Sequence, residues 1–239
     1  MAKPSSRTRS TPTSRLRGKP TSRVGASPGS RAPVDPISRF RAWMKAAAKA
    51  GAPIPEAMVL ATADRRGRPS ARYVLLKEAS ARGFVFYTND DSRKGDEMRA
   101  NRHVALVFYW DVTGKQVRIE GTVRTLPKAD ADAYWQERPI GSRYASAASE
   151  QSRPIASRAL LLKKYAALEA EYPDGSIPRP PHWKGYLVEP SAIEFWTRAE
   201  PRLHERELFT RVRSATSRSG KSASPAAAAA VWKSKILQP

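Results

Sequence analysis

Cations stand beside a predicted helix start at Ser92-Arg93-Lys94. Ser92 can cap a helix that we predict over residues 92–100, and Arg93 and Lys94 then occupy its first turn. Positive charges are unfavourable at this end of a helix unless an anion neutralises them, because the helix dipole is positive there. The segment therefore indicates a bound phosphate, and a solvated basic turn is the alternative.

A second pair of cations flanks a strand predicted over residues 70–76. Arg72 and Lys77 are five residues apart, so their side chains point to opposite faces unless the strand bends. A guanidinium can bind a phosphate through two parallel hydrogen bonds, whereas an ammonium acts as a point charge. The pair alone leaves open whether both residues serve one ligand.

A third candidate site follows Pro127, where a helix is predicted over residues 127–138. Tyr134 and Arg138 are four residues apart and share a face of this helix. Ser142 follows just past the predicted helix end. A phenol, a guanidinium and a hydroxyl that converge in this way could hold a second phosphate, and a surface pair with a loop serine is the alternative.

Arg202, His204 and Arg206 alternate in the segment Arg-Leu-His-Glu-Arg. On an extended segment the three side chains lie on one face, which places one titratable imidazole between two guanidinium groups. A lone histidine is usually structural. A histidine between two arginines on the same face is a candidate for ligand binding or proton transfer.

Hydrophobic periodicity indicates the elements that would position these residues. A helix is predicted from Asp35, with Ile37, Phe40 and Trp43 at helical spacing. Apolar and polar residues alternate over 116–125, which is typical of a half-buried strand. We expect a mainly β protein with flanking helices (α+β), built on a β-meander that closes into a barrel. Strands are predicted at 58–63, 70–76, 83–88, 104–110, 116–125, 185–188 and 192–196, and further helices at 92–100, 127–138 and 154–171.

Composition excludes several kinds of chemistry. The chain of 239 residues has no cysteine, so disulfides, thiolate ligands and cysteine nucleophiles are excluded. It has three histidines, so a histidine-rich site is not expected and we predict no metal. No apolar run approaches the roughly 20 residues of a membrane span, and the N-terminus has no secretory signal core. We expect a soluble, cytoplasmic protein.

The formal net charge of +21 could indicate nucleic-acid binding, so its position along the chain matters. The regions before Asp35 and after Arg206 carry fourteen basic residues against one acidic residue, which accounts for two-thirds of the excess. Residues 1–33 lack apolar density and are predicted to be a disordered basic tail. A solvated tail is the plain interpretation, and an organelle-targeting segment or a weak polyanion-binding arm are the alternatives.

The remaining chain is predicted to form one folded domain over residues 34–213. Residues 214–230 are a low-complexity Ser/Ala stretch, which we interpret as an insertion. Residues 231–239 contain Trp232, Ile236 and Leu237, and we expect this C-terminal segment to dock on the barrel.

Taken together and in this order, these segments resemble the pyridoxine/pyridoxamine 5'-phosphate oxidase family. The resemblance covers residues 35–206, and its most specific part is 202–206 after Glu194-Phe195-Trp196. It implies an FMN-binding split β-barrel that forms a homodimer, with FMN at the subunit interface. The other matching segments are 72–77, 86–89, 92–95, 116–121, 138–142, 151–152 and 178–183.

The resemblance also implies roles for individual residues. Arg202 and His204 are implied as catalytic residues, which hold the substrate ring and assist proton movement at the reacting carbon. Substrate contacts are implied for Lys77, Tyr134, Arg138, Ser142, Arg202 and His204. FMN contacts are implied for Arg72, Val74, Leu75, Lys77, Tyr87, Thr88, Arg93, Lys94, Gln116, Gln151, Ser152, Trp196 and Arg206.

The reaction implied by the resemblance converts pyridoxamine 5'-phosphate or pyridoxine 5'-phosphate to pyridoxal 5'-phosphate. A hydride passes from the substrate C4' carbon to flavin N5, and oxygen then reoxidises the flavin and gives hydrogen peroxide. The flavin supplies the redox chemistry, and the protein supplies orientation and charge. This chain departs from the family at Lys184, at Thr197-Arg198 and in having no tyrosine before Tyr73.

Two other functions fit parts of the sequence. A flavin oxidase of the same fold could act on another substrate, as in phenazine pathways, but it would have no use for a phosphate clamp. A non-enzymatic basic protein could bind nucleic acid through its tails, but the ordered core motifs would then have no explanation. We therefore expect B6 vitamers and oxygen as partners, and neither nucleic acid nor a membrane.

Overall fold

The computed structural model describes residues 35–212 and 231–239. Helix α1 (Pro36–Lys49) begins at Asp35, as predicted, because the Asp35 carboxylate accepts hydrogen bonds from the backbone N–H groups of Ile37 and Ser38, at 3.3 and 2.9 Å. Pro36 follows the cap, where its missing N–H leaves no hydrogen bond unmade. The predicted tail 1–33 and the predicted insertion 214–230 lie outside the described residues.

Within the described residues, nine strands form one curled sheet in which every pairing is antiparallel. The order is β2-β1-β5-β6-β7-β4-β3, and β8 pairs with both β7 and β9. Helix α1 packs against this sheet through Phe40, which contacts Phe84 of β4 and Phe108 of β5. The strands are β1 (Ala57–Ala63), β2 (Pro69–Leu75), β3 (Glu78–Ser80), β4 (Gly83–Asn89), β5 (His103–Trp110), β6 (Lys115–Thr125), β7 (Trp183–Thr197), β8 (Glu205–Arg211) and β9 (Trp232–Leu237).

The longest strand is β7, and its length corrects the sequence prediction. Two strands, 185–188 and 192–196, were expected, but the structure has one strand from Trp183 to Thr197. The pairing of β6 with β7 shifts its register between Glu120 and Gly121, and Pro190 of β7 lies opposite Gly121. This shift accommodates the proline without ending the strand. A Cβ on Gly121 would lie 2.2 Å from the Glu189 carbonyl oxygen, so glycine is required for the close approach. Strand β7 therefore runs unbroken along the molecule.

Four further helices lie outside the sheet, and their bounds differ from the predicted ones. Helix α3 ends before Arg138, because a residue that precedes proline avoids the helical conformation, and Pro139 follows. Ser142 lies within α4, a helix that was not predicted. The helix predicted from residue 154 begins after Ser157, whose hydroxyl accepts from Leu160 N–H at 3.2 Å. The four helices are α2 (Arg93–Ala100), α3 (Lys128–Glu137), α4 (Ile140–Ala148) and α5 (Arg158–Glu171), and a 3-10 turn covers Asp111–Thr113.

Clusters of buried apolar side chains hold these elements together. In the main core, Phe40 of α1 is fully buried and packs edge-on against Phe84 and Phe108, with ring centroids 5.0 and 4.8 Å away. A smaller cluster around Trp135 and Trp183 joins α3 and α4 to the start of β7. This second cluster fixes the helices that carry the third candidate site. No helix in the described ranges is long and apolar enough to cross a membrane.

Replacing Phe40 by alanine should lower the free energy of unfolding by about 3–5 kcal/mol, because a fully buried aromatic ring at the centre of the core is lost. Urea denaturation measures the change. Leu162→Ala on α5 is the control, since this leucine is 50% exposed and alanine favours helix, so a change within about 0.5 kcal/mol is expected. Equal effects of the two substitutions would contradict the proposed core.

Candidate functional site

A cleft of about 760 Å³ opens between β2, the end of β4 and the helices α2, α3 and α4. It brings together two of the predicted cation groups and the predicted Tyr134 site. Arg72 and Lys77 both line it because β2 ends at Leu75 and the chain then bends, with Lys77 N–H donating to Val85 of β4 at 2.8 Å. The predicted residues in its wall are Arg72, Val74, Leu75, Lys77, Tyr87, Thr88, Arg93, Lys94, Tyr134, Arg138, Ser142, Gln151 and Ser152.

At one end of the cleft, the side chain of Lys94 is buried without a carboxylate. Its ammonium donates to Ser92 Oγ at 2.8 Å and to Gln151 Oε1 at 2.5 Å, and no ion pair to it occurs in the described ranges. Burial lowers the pKa of Lys94 from its ordinary value of 10.5 to about 8, and the charge of Arg72 adds to the effect. A buried cation with only neutral partners is suited to an anionic ligand.

The start of α2 adds backbone donors to this end. Ser92 was expected to cap the helix, but its hydroxyl donates to the Asn89 carbonyl at 2.6 Å and makes no cap hydrogen bond. The Ser92 side chain therefore accepts no hydrogen bond from the backbone N–H groups at the start of α2. Helix α2 packs closely on the preceding turn, since a Cβ on Gly95 would lie 1.9 Å from the Asp90 carbonyl oxygen. Free N–H groups, Arg93 and Lys94 together fit a phosphate.

The side wall of the cleft is aromatic. The rings of Tyr134 and Tyr87 stack with centroids 4.2 Å apart, and Tyr87 stacks on Trp183 at 5.1 Å. Burial raises the pKa of Tyr87 to about 12, so its phenol stays protonated. Lys77 Nζ lies 5.9 Å from the Tyr134 ring. Such a wall suits a flat, conjugated ligand that stacks or lies against aromatic faces.

The part of the cleft around Arg138 is called here the Arg138 end. Arg138 was predicted on the same helix face as Tyr134, but it has an extended backbone just after α3. Its guanidinium still reaches the cleft, over the Trp183 ring at 4.7 Å, and donates to Ser146 Oγ at 2.8 Å. Burial lowers the pKa of Arg138, and it has no carboxylate partner within the described ranges. Ser146 was not predicted, since only the unpredicted α4 carries it to this place.

The other predicted residues lie elsewhere. Trp196 lies on β7, opposite Gln116 of the neighbouring strand β6 and opposite Arg206 of the other neighbour, β8. Trp196 is 13 residues along β7 from Trp183, which is roughly 40 Å at about 3.3 Å per residue. The described chain alone therefore brings none of this second group to the cleft. The group, called here the β7-end cluster, consists of Gln116, Trp196, Arg202, His204 and Arg206.

The predicted common face of Arg202, His204 and Arg206 is wrong. Only Arg206 belongs to a strand, and Arg202 has a φ of 82°, which turns the chain instead of extending it. His204 Nδ1 accepts a hydrogen bond from Ala199 N–H at 3.2 Å, so the neutral imidazole carries its proton on Nε2. Its ring lies 4.6 Å from that of Trp196. His204 therefore offers a donor in its neutral form.

Arg206 is held by protein groups at the rim of the β7-end cluster. Its Nε donates to Glu194 at 2.9 Å and one Nη donates to the Gln238 carbonyl at 3.0 Å. The Gln238 contact ties the cluster to the end of the chain just after β9. Arg206 is thus fixed in direction before any ligand binds.

Comparison with known proteins shows the family of this chain. The family profile described as pyridoxamine 5'-phosphate oxidase matches residues 44–171, and the profile described as pyridoxine 5'-phosphate oxidase C-terminal dimerisation region matches 183–239. A pyridoxine/pyridoxamine 5'-phosphate oxidase of Novosphingobium aromaticivorans is 53% identical over 173 residues, which is 72% of this chain and 85% of that protein. One of Paraburkholderia phymatum is 52% identical over 172 residues, covering 72% and 81%.

Two solved structures are similar as well. PhzG from Burkholderia lata, in complex with tetrahydrophenazine-1-carboxylic acid, is 32% identical with a TM-score of 0.76, covering 87% of this chain and 94% of PhzG. A pyridoxamine 5'-phosphate oxidase-related, FMN-binding protein from Nostoc punctiforme is 19% identical with a TM-score of 0.65, covering 86% and 99%, and shows the fold alone.

The curled sheet and the cationic cleft define a protein of the FMN-binding split-barrel class. The chain belongs to the pyridoxine/pyridoxamine 5'-phosphate oxidase family. The predicted fold class and family are thereby confirmed, and FMN is confirmed as the cofactor at the level of the family.

Lys94→Met should stabilise the ligand-free protein at about pH 7, by about 1–3 kcal/mol, because a desolvated charge is removed. Above about pH 8 the native Lys94 loses its proton, whereas the unfolded chain keeps it until about 10.5. The wild-type protein therefore gains stability over this range, and the advantage of the variant shrinks. Urea denaturation at several pH values measures both effects.

The exposed Lys163→Met on α5 is the control and should show no such pH-dependent difference. A Lys94→Met protein that is less stable than wild type at about pH 7 would contradict the assignment of Lys94 as a cation in need of an anion.

Proposed function

We propose that this protein is an FMN-dependent oxidase that converts pyridoxamine 5'-phosphate and pyridoxine 5'-phosphate to pyridoxal 5'-phosphate, with oxygen as acceptor and hydrogen peroxide as product. One observation carries the proposal. A single cleft with an aromatic wall holds two cations, Lys94 and Arg138, that have no carboxylate partner in the described ranges. Two phosphorylated molecules with flat rings, a flavin and a B6 vitamer, match these features.

The flavin phosphate is assigned to the Lys94 end. Lys94, Arg93 and the first N–H groups of α2 provide charge-assisted donors, and Gln151 lies within hydrogen-bond distance of Lys94. Thr88 and Ser152 supply further polar groups in the same wall. When bound, FMN supplies the redox chemistry: it accepts a hydride from the substrate and returns the electrons to oxygen. The remaining FMN contacts proposed within this subunit are Arg72, Val74, Leu75, Lys77 and Tyr87.

The substrate phosphate is assigned to the Arg138 end. Arg138 supplies the permanent charge, and Tyr134 and Ser142 supply hydroxyl groups in the same wall. Ser146 and the Trp183 ring hold the guanidinium in place, so little side-chain freedom is lost when the phosphate binds. Lys77 lines the same cleft near Tyr134, and its charge is proposed to contact both ligands.

A second subunit is proposed to complete the site. The β7-end cluster lies roughly 40 Å from Trp183 along its own strand, so its residues can meet a ligand in the cleft only from a partner. The profile match over 183–239 to a dimerisation region supports a homodimer. In a two-fold dimer each cleft receives the partner's cluster, and two equivalent sites form.

Within that dimer, Gln116, Trp196 and Arg206 are assigned to FMN, and Arg202 and His204 to the reacting end of the substrate. His204 carries its proton on Nε2 in the neutral form, because Nδ1 accepts from Ala199 N–H, and Nε2–H can donate a hydrogen bond to the substrate. Arg202 lies in a turn with a positive φ, a conformation kept at functional sites despite its cost of about 1–2 kcal/mol.

A second candidate function is oxidation of a carboxylated tricyclic substrate. It is favoured by the similarity to PhzG, whose solved structure contains tetrahydrophenazine-1-carboxylic acid. A carboxylate could also bind Arg138, but it presents fewer oxygens than a phosphate to the three groups Tyr134, Arg138 and Ser142. Efficient oxidation of unphosphorylated ring substrates by the wild-type protein would favour this alternative.

Arg138→Ala should raise KM for pyridoxamine 5'-phosphate and lower kcat/KM by about 10- to 150-fold, because a charged hydrogen bond worth about 1.5–3 kcal/mol is lost. FMN should remain bound, since Arg138 is not among the residues assigned to the flavin. Steady-state kinetics and the flavin absorption spectrum measure the two quantities. The exposed Arg124→Ala, which breaks only the pair with Glu189, is the control.

Loss of FMN from Arg138→Ala, or an unchanged KM, would contradict the assignment of the two ends. His204→Ala and Arg202→Ala should behave differently from Arg138→Ala, since they are proposed to act at the reacting carbon and should lower kcat as well.

A further inference from the structure

A buried glutamate, Glu97 of α2, lies behind the phosphate end of the cleft. Its side chain is 5% exposed and accepts hydrogen bonds from Thr62 Oγ1 at 2.5 Å and Ser70 Oγ at 2.6 Å. Burial by itself raises the pKa of Glu97, but the hydrogen bonds from Ser70, Thr62, Arg93 and Arg72 outweigh it and lower the pKa to about 2. The carboxylate is therefore ionised and fixed in direction.

Two cleft arginines contact this carboxylate, but only one depends on it. Arg72 donates to Glu97 at 3.2 Å and also to the Leu60 carbonyl at 3.1 Å, to Thr62 Oγ1 at 2.6 Å and to Ser70 Oγ. It stays held when Glu97 is absent. Arg93 is 66% exposed, and its one side-chain hydrogen bond within the described ranges runs from Nε to Glu97 Oε1 at 2.9 Å. Both of its Nη groups are left for another acceptor.

We propose that Glu97 is a positioning residue for the flavin-phosphate site at the start of α2. Its carboxylate accepts a hydrogen bond from Arg93 Nε and so orients the two terminal nitrogens of the guanidinium toward the flavin phosphate. The inference rests on the proposed function, which places that phosphate at the start of α2. An arginine ordered in advance loses less conformational freedom on binding and keeps its forked geometry for the phosphate oxygens.

The contact differs from an ordinary surface ion pair between residues i and i+4. Such pairs contribute little, because two long side chains must both be ordered in water. Here the acceptor is already ordered by Thr62 and Ser70, so only Arg93 loses freedom when the contact forms. The same carboxylate also repels a phosphate. In our proposal the positioning effect on Arg93 is larger than this repulsion, so removal of the carboxylate weakens phosphate binding.

The test compares two flavins that differ only in the phosphate. The full-length protein and its Glu97→Gln variant are titrated with FMN and with riboflavin, and binding is followed by flavin fluorescence. Glu97→Gln should bind FMN about tenfold more weakly, because Arg93 must then be ordered during binding, and riboflavin within about twofold of wild type. Asp96→Asn removes a carboxylate of the same helix that pairs with Arg99, and should leave the FMN preference within about twofold.

Three results with Glu97→Gln would overturn the proposal: an unchanged FMN preference, a stronger FMN preference, and an equal loss of both flavins, which is the result of a purely structural role. In an Arg93→Ala background Glu97→Gln should change the FMN preference no further, and an additional loss would also overturn it. A wild-type protein without preference for FMN over riboflavin would refute the proposed phosphate site itself.

Arg93→Lys tests the same contact while Glu97 stays in place. This variant tests the proposal even if the Glu97→Gln protein fails to fold. A lysine keeps the charge but cannot bind the carboxylate and the phosphate together through a fork. It should lose about as much FMN preference as Glu97→Gln, and full retention would contradict the proposal.

Discussion

The burial of the Lys94 ammonium among neutral partners is the interaction on which the site depends. A desolvated cation weakens the ligand-free fold, and the surrounding structure tolerates it because the cleft supplies a place for an anion. Several features keep it there. Gly95 lets α2 approach the Asp90 backbone. The Ser92 hydroxyl donates to the Asn89 carbonyl instead of capping the helix, and the Gln151 side-chain oxygen accepts a hydrogen bond from Lys94. In the proposed function, the phosphate offsets this cost to the stability of the free protein when it binds.

The length of β7 imposes the second constraint. An uninterrupted strand of 15 residues joins the aromatic wall of the cleft at Trp183 to the β7-end cluster at Trp196. The two ends of such a strand lie too far apart to contact one small ligand, so the two sets of residues that we propose as ligand contacts can share a site only across two subunits. The need for a partner therefore follows from the sheet, and the family profile over 183–239 is consistent with it.

Most of the sheet and the start of α1 could be predicted from the sequence, because alternation and the Asp35-Pro36 cap are local signals. The failures have physical causes that are not local. Strand β7 looked interrupted because Pro190 sits at a bulge that depends on Gly121 of another strand. Arg72 and Lys77 both line the cleft because the chain bends after Leu75, where the Lys77 N–H donates to Val85 of β4. Helix α4 and the position of Ser146 were not predicted. The positive φ of Arg202 was not predicted either, because no local sequence pattern indicates it.

A tandem-purified mixed dimer gives the most direct test of a site built from two subunits. One subunit carries Arg138→Ala and the other His204→Ala, each expected to have kcat/KM lowered about tenfold or more as a homodimer, and the two are co-expressed with different tags. The account predicts about half of the wild-type kcat/KM per dimer, because one of the two sites then has both an intact cleft and an intact β7-end cluster. A mixed dimer of Arg138→Ala and Lys94→Ala, both in the cleft, should keep the low kcat/KM of the homodimers. A kcat/KM as low as that of the homodimers in the Arg138→Ala/His204→Ala dimer would contradict the account.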